Sequence, residues 1–255
     1  MLTPSEFIDA YSAIGERKVN AAALNLFLSG IMAGFFIGMG GVVTNVASNF
    51  ITNPSVAKVV NGLLFPFGLI MVMMTGAELF TGNCLITISL LEGRVSFAGM
   101  LRNLLIVYVG NFVGAVILAW AYVYSSPVID STTRTAIAKC SLSFDRALIL
   151  GILCNILVCT AVMMGLCAKS ITGRAMGAYF PIAFFVIAGF EHCVANMYYV
   201  PAGLFAKIYG LDISGLTWGK FLMNNLLPVT LGNIIGGCIL SLLLWQIHTN
   251  KGRKI

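Results

Sequence analysis

The sequence predicts an all-α membrane protein of six transmembrane helices, arranged as two inverted three-helix repeats. Three observations predict it: too little charge for a water-facing surface, six long apolar stretches, and a repeat unit that crosses the membrane an odd number of times. Of 255 residues, 59% are hydrophobic and 9% are charged. The mean hydropathy is +0.95. Soluble domains carry about 25% charged residues, so lipid must be the main solvent of this chain.

The charges cluster. No Asp, Glu, Lys or Arg falls in 21–57, 103–129, 147–168 or 221–249. Crossing the apolar part of a bilayer takes about 20 apolar residues, and each stretch is long enough. Two further stretches are charged only near their middles: 59–91 holds Glu78, and 175–206 holds Glu191 and His192. These make six spans, with both termini on one side. Nine Lys and Arg (Arg17, Lys18, Arg94, Arg102, Lys169, Arg174, Lys251, Arg253, Lys254) lie on the side of the termini, against six (Lys58, Arg134, Lys139, Arg146, Lys207, Lys220) on the other. The excess places both termini of a multi-pass inner (plasma) membrane protein in the cytoplasm.

The first twenty residues lack the apolar core of a signal peptide. They open Thr3-Pro4-Ser5-Glu6, which reads as a helix N-cap, a first-turn proline and a capping-box glutamate. Phe7, Ala10, Tyr11 and Ile14 follow at helical spacing, as in an amphipathic helix lying on the membrane surface. The chain divides into this helix (1–20), a first repeat (21–125), an extramembrane connection (126–146), a second repeat (147–247) and a C-terminal tail (248–255).

The repeat is legible directly. Asn103 to Leu118 reads NLLIVYVGNFVGAVIL and Asn225 to Leu240 reads NLLPVTLGNIIGGCIL; nine positions are identical at an offset of 122. Gly76 to Asn83 (GAELFTGN) and Gly189 to Asn196 (GFEHCVAN) share the frame Gly-x-Glu-x-x-x-x-Asn at an offset of 113. A three-span unit sends its second copy through the membrane from the opposite side. Inverted repeats of this kind are a transporter and channel architecture, with the path at the repeat interface.

Spans 2 and 5 carry the informative residues. A charged residue at mid-membrane costs about +2.5 to +3.5 kcal/mol on insertion scales, and the repeats place a glutamate at the same position twice. The surrounding Gly, Pro and Asn predict interrupted helices. Glu78 and Glu191, with Asn83 and Asn196, are read as staples of the breaks, the carboxylates accepting freed backbone N–H groups. His192 is the only histidine inside a span, and its counterpart is Leu79. It titrates near neutrality and can donate to an anion or exchange a proton. Lys139 is placed in the loop after span 3. Seven cysteines and two histidines form no zinc spacing, and no metal or cofactor is expected. The positive charge is spread over loops, which argues against nucleic acid as a partner. No nucleophile motif points to an enzyme. The paired Asn-Pro-Ala loops of a water or glycerol channel, the alternative for this architecture, are absent: Asn83 precedes Cys84-Leu85 and Asn196 precedes Met197-Tyr198.

The strings GAELFTGN (from Gly76), NILVC (from Asn155) and PIAFFVIAGFEHCVANM (from Pro181) resemble the formate/nitrite transporter family, and within it most nearly its hydrosulfide channel branch. The resemblance covers essentially the whole chain. It implies an aquaporin-like fold with broken helices 2 and 5, assembled as a homopentamer in the bilayer with one pore per protomer. It implies a channel or transporter for small monovalent weak-acid anions or their neutral acids, hydrosulfide first, then formate or nitrite. The family's pore threonine falls on Thr81, its pore histidine on His192, its helix-4 asparagine on Asn155 and its vestibule lysine on Lys139. Two apolar constrictions are implied, one of Phe65, Leu69 and Phe80, the other of Leu79, Val158 and Phe185.

Overall fold

The computed structural model describes residues 1–125, 130–210, 213 and 215–249. Parts of the expected connection (126–129) and tail (250–255) therefore lie outside the described residues. Helix α1 (Pro4–Asn20) opens the chain. It is followed by α2 (Ala23–Ala47), α3 (Pro54–Leu64), α4 (Pro66–Thr75), α5 (Phe80–Asn83), α6 (Ile86–Leu91) and α7 (Phe97–Ser125). The second half runs α8 (Asp130–Cys140), α9 (Phe144–Cys167), α10 (Ile171–Ala188) and α11 (Cys193–Phe205). It ends with a 3-10 turn (Ala206–Tyr209), the short α12 (Trp218–Lys220), a π-helical stretch (Phe221–Leu226) and α13 (Leu227–His248). Six of these segments are long and apolar enough to cross a membrane: 23–47, 54–75, 97–125, 144–167, 171–188 and 218–248. No strand occurs among the described residues.

Both spans break, at 76–79 and 189–192, slightly before the loops near Glu78–Asn83 and Glu191–Asn196 that the resemblance implies, because Phe80–Asn83 and Cys193–Asn196 are helical. Helix α4 ends at Gly76 (φ 70°) and α10 at Gly189 (φ 76°). This left-handed conformation suits glycine, and it turns the chain out of the helix just before each glutamate. The extended residues that follow lead into α5 and α11, which open the second parts of the broken spans.

Packing follows the repeat. Helix α2 lies against α7, and α9 against α13. A Cβ at Gly110 would press on the Gly30 backbone, and one at Gly232 on that of Gly151. These crossings let two backbones approach closely without a hydrophobic drive between helices in lipid. Large apolar side chains such as Leu105, Trp120, Phe184 and Leu243 are exposed, as expected of a surface facing lipid or other chains.

One expectation about the helices outside the spans, the loop placement of Lys139, is corrected. Helix α1 turns Phe7, Ile8 and Tyr11 onto the bundle, where they pack with Leu85, Ile88, Cys159 and Trp245, so its apolar stripe is buried against protein. Its start is as read: Thr3 and Glu6 form the reciprocal capping box, and the hydrogen bonds from Thr3 hold the Glu6 carboxyl below its ordinary range. Lys139 lies in no loop; it occupies the last turn of α8. Ser131, Thr132, Thr133 and Thr135 disguised that helix, because Ser and Thr compete with helical hydrogen bonding. Asp130 in the first turn and Lys139 in the last match the helix dipole. The repeat therefore includes one more helix than the sequence suggested, α1 before the first three spans and α8 before the second.

Candidate functional site

Each broken span is held by a Lys-Glu-Asn-Asn network, and the two networks match in their asparagine bonds and differ at the lysine. Lys18 Nζ donates to both carboxylate oxygens of Glu78 at 2.8 Å, and Lys139 Nζ donates to Glu191 Oε1 at 2.9 Å. Asn83 Nδ2 reaches Glu78 Oε2 at 2.6 Å and Asn103 Oδ1 at 2.9 Å. Asn196 Nδ2 reaches Glu191 Oε2 at 2.6 Å and Asn225 Oδ1 at 2.8 Å. Asn103 Nδ2 then donates to the Lys18 carbonyl, and Asn225 Nδ2 to the Lys139 carbonyl, both at 2.9 Å. The glutamates thus staple side chains. Charges this deep need partners of this kind.

The backbone N–H groups freed by the breaks go elsewhere than expected. Asn111 Oδ1 accepts from Phe80 N, the first residue of α5, and Asn233 Oδ1 accepts from Cys193 N, the first residue of α11, both at 2.9 Å. Asn111 Nδ2 donates to the carbonyls of Gly30 and Glu78. Asn233 Nδ2 donates to those of Gly151 and Glu191. Sequence reasoning missed Lys18, Asn103, Asn111, Asn225 and Asn233 as site residues. The signal for the asparagines was present: both pairs are identical at offset 122. An amide serves here because it accepts one bond and donates two.

The halves differ at the centre. Thr81 and His192, whose counterparts are Val194 and Leu79, meet at 2.9 Å between Thr81 Oγ1 and His192 Nε2. His192 Nδ1 accepts from Ala195 N at 3.1 Å and so caps α11. A nitrogen that accepts cannot carry a proton. In the neutral ring the proton therefore sits on Nε2 and is donated to Thr81 Oγ1, which leaves the Thr81 O–H free to donate elsewhere. The Thr81 carbonyl is itself held, by Asn155 Nδ2 at 3.2 Å and by Cys159 Sγ at 3.5 Å. Phe185 lies nearly parallel to the imidazole, with centroids 5.9 Å apart.

Two cavities lie near this pair, and the second is bordered by His192 itself. One, of about 290 Å³, is bordered by Tyr11, Lys18, Leu69, Glu78, Leu79 and Asn83. The other, of about 150 Å³, is bordered by Phe65, Lys139, Phe185, Glu191, His192 and Tyr199. The constriction residues therefore regroup. Leu69 joins Leu79 on the α1 side, while Phe65 meets Phe185 edge-on at 5.8 Å on the α8 side. The reason is helical: Leu69 is one turn further along than Phe65, about 6 Å deeper. Phe80 and Val158 are buried and border neither of these two cavities. Phe80 packs against Tyr108 at 4.7 Å.

Broken helices facing each other across a pseudo-two-fold axis, with a polar pair near two lysine-bearing cavities, define a protein that passes a small solute through the membrane. The profile of the family described as formate/nitrite transporter matches residues 5–247. The chain is 35% identical to the probable formate transporter of Methanothermobacter thermautotrophicus, over 98% of each chain. It is 37% identical to the formate channel FocA of Haemophilus influenzae, over 93% of this chain and 91% of that one. Among solved structures it is similar to an FNT family ion channel, with TM-score 0.88 and 29% identity over 95% of this chain and 98% of that one. It is also similar to a pentameric formate channel with formate bound, with TM-score 0.78 and 35% identity over 89% of this chain and 97% of that one. The chain belongs to the formate/nitrite transporter family.

Proposed function

We propose that this protein is a channel for small monovalent anions of weak acids, which cross its centre as the neutral acid hydrogen-bonded to Thr81. The carrying observation is the Thr81–His192 pair, with its donor direction set by the cap on Ala195. An isolated anion in a low-dielectric slit costs tens of kcal/mol by Born estimates, and such groups neutralise instead. Burial disfavours the charged form and raises the pKa of an entering acid. The anion is drawn into the α8-side vestibule by Lys139 and takes a proton supplied as hydronium from the bulk solution, so that acid and proton cross together and part on the far side. It then passes the expected constriction residues Phe65, Leu69, Leu79, Phe80, Val158 and Phe185, pausing where the free Thr81 O–H donates to it.

The sequence left proton exchange and hydrogen bonding at His192 as alternatives. The geometry favours hydrogen bonding, because a second proton on Nδ1 would face the Ala195 N–H. Asn155 supports the centre through the Thr81 carbonyl. The names of the relatives favour formate as the first substrate to test; the expected hydrosulfide preference rests on the branch resemblance alone. A pentamer in the inner membrane, with α1 on the cytoplasmic face, accords with the named pentameric neighbour and the Lys and Arg count.

The test is flux into proteoliposomes of purified protein with formate, hydrosulfide, nitrite, chloride and glycerol in turn. Flux of the weak acids well above chloride is expected. Glycerol flux without anion flux would replace this reading with a neutral-solute channel.

A further inference from the structure

The two halves hold their lysines differently. Lys18 Nζ directs its three donors to Glu78 Oε1, Glu78 Oε2 and Asn83 Oδ1, each at 2.8 Å. An ammonium has three N–H donors, so Lys18 is fully engaged. Lys139 Nζ makes one hydrogen bond among the described residues, to Glu191 Oε1. The amide oxygen equivalent to the one that holds Lys18, Asn196 Oδ1, is buried and has no partner among the described residues. The Lys139 ammonium lies instead 5.3 Å from the centre of the Tyr199 ring. The counterpart of Tyr199 at offset 113 is Ile86, so the repeat gives Lys18 no matching ring.

Tyr199 is well fixed. Its hydroxyl is 2.7 Å from Thr44 Oγ1. Its ring lies nearly parallel to that of Phe65, with centroids 6.5 Å apart. Ammonium, tyrosine and constriction phenylalanine therefore line up along one cavity wall. A ring face attracts a cation without occupying a particular N–H, which leaves Lys139 donors for an incoming anion.

We propose that Tyr199 is a positioning residue: it draws the Lys139 ammonium off Asn196 and holds it over the mouth of the Phe65–Phe185 constriction. Lys139 is thereby the capturing lysine and Lys18 a structural lock. This rests on the proposed anion conduction and deepens it, since Tyr199 sets how strongly the α8-side vestibule captures substrate.

The experiment measures half-saturation and maximal rate of formate uptake from the α8 side, in sealed vesicles of known orientation. Tyr199→Phe keeps the ring and should resemble the parent protein. Tyr199→Leu should raise half-saturation about threefold to tenfold, with little change in maximal rate and a weaker dependence on ionic strength. In a Lys139→Met background the same change should add nothing. Should Tyr199→Leu fail to assemble, Tyr199→Met, with its adaptable side chain, replaces it. Unmoved half-saturation in Tyr199→Leu, or an undiminished effect without Lys139, overturns the role of Tyr199 while leaving conduction standing. A parent protein that carries no weak acid overturns both.

Discussion

Replacing Asn233 by Ala removes three bonds at the entry to α11: one accepted from Cys193 N at 2.9 Å, and two donated, to Gly151 O at 2.8 Å and Glu191 O at 3.0 Å. Cys193 is fully buried, so its N–H is left without a partner. A stranded buried donor costs about 1–3 kcal/mol, whereas the two carbonyls lose less, because an under-satisfied C=O is better tolerated. Interhelical hydrogen bonds in membranes average about 0.6 kcal/mol, which sets a floor near 2 kcal/mol for three. The expected loss is about 2–4 kcal/mol, or roughly a 5–15 °C fall in melting temperature, measured by thermal unfolding in detergent. Asn111→Ala removes the same three bonds from α5 and should cost a similar amount. Asn233→Asp keeps the accepted bond but sets its second oxygen against two carbonyls, so it should be no milder than Asn233→Ala. Unchanged melting of Asn233→Ala would refute the claim that the repeated asparagines hold the broken helices.

At position 192, Asn can keep the cap on Ala195 while Leu cannot. His192→Leu should lose about 1 kcal/mol of stability that His192→Asn retains, and both should change weak-acid selectivity; equal melting of the two variants would contradict the capping role. Lys18→Met strands the Glu78 carboxylate and should destabilise strongly, by about 3 kcal/mol. Adding Glu78→Gln should recover much of that loss, and a double variant no more stable than the single one would contradict the pairing. The lowered Glu6 carboxyl stabilises the start of α1 above its ordinary unfolded value. That contribution is lost as pH falls through the folded value, so α1 amide exchange should quicken in acid, and Glu6→Gln should abolish that dependence.

The fold was legible because lipid constrains it so tightly. Charge-free runs, the odd-numbered repeat and the paired Gly-x-Glu-x-x-x-x-Asn frames each have one physical reading. The existence of the breaks was legible from the Gly, Pro and Asn around each glutamate, while their bounds, set by Gly76 and Gly189, lie a few residues earlier than the resemblance implied. His192 was legible from broken symmetry, since its counterpart is Leu79, whereas Thr81 entered only through the family resemblance. The lysine partners were harder to see. Lys18 lies 60 residues from Glu78 in sequence, on a helix whose own pattern suggested membrane contact, and Lys139 lies on a helix hidden by Ser and Thr. The side of each constriction residue was not legible either, because Phe65 and Leu69 share one span and differ only by a turn of depth.

The most direct test of the central claim is the ratio of formate to chloride flux from pH 5 to 8 in proteoliposomes, for the parent protein, Thr81→Ser and Thr81→Val. Passage as a neutral acid held by the Thr81 hydroxyl predicts formate flux that rises as pH falls. It also predicts retention in Thr81→Ser and a loss of about tenfold or more in Thr81→Val, equivalent to about 1.4 kcal/mol or more. Equal flux of formate and chloride at every pH, or an unchanged profile in Thr81→Val, would contradict it.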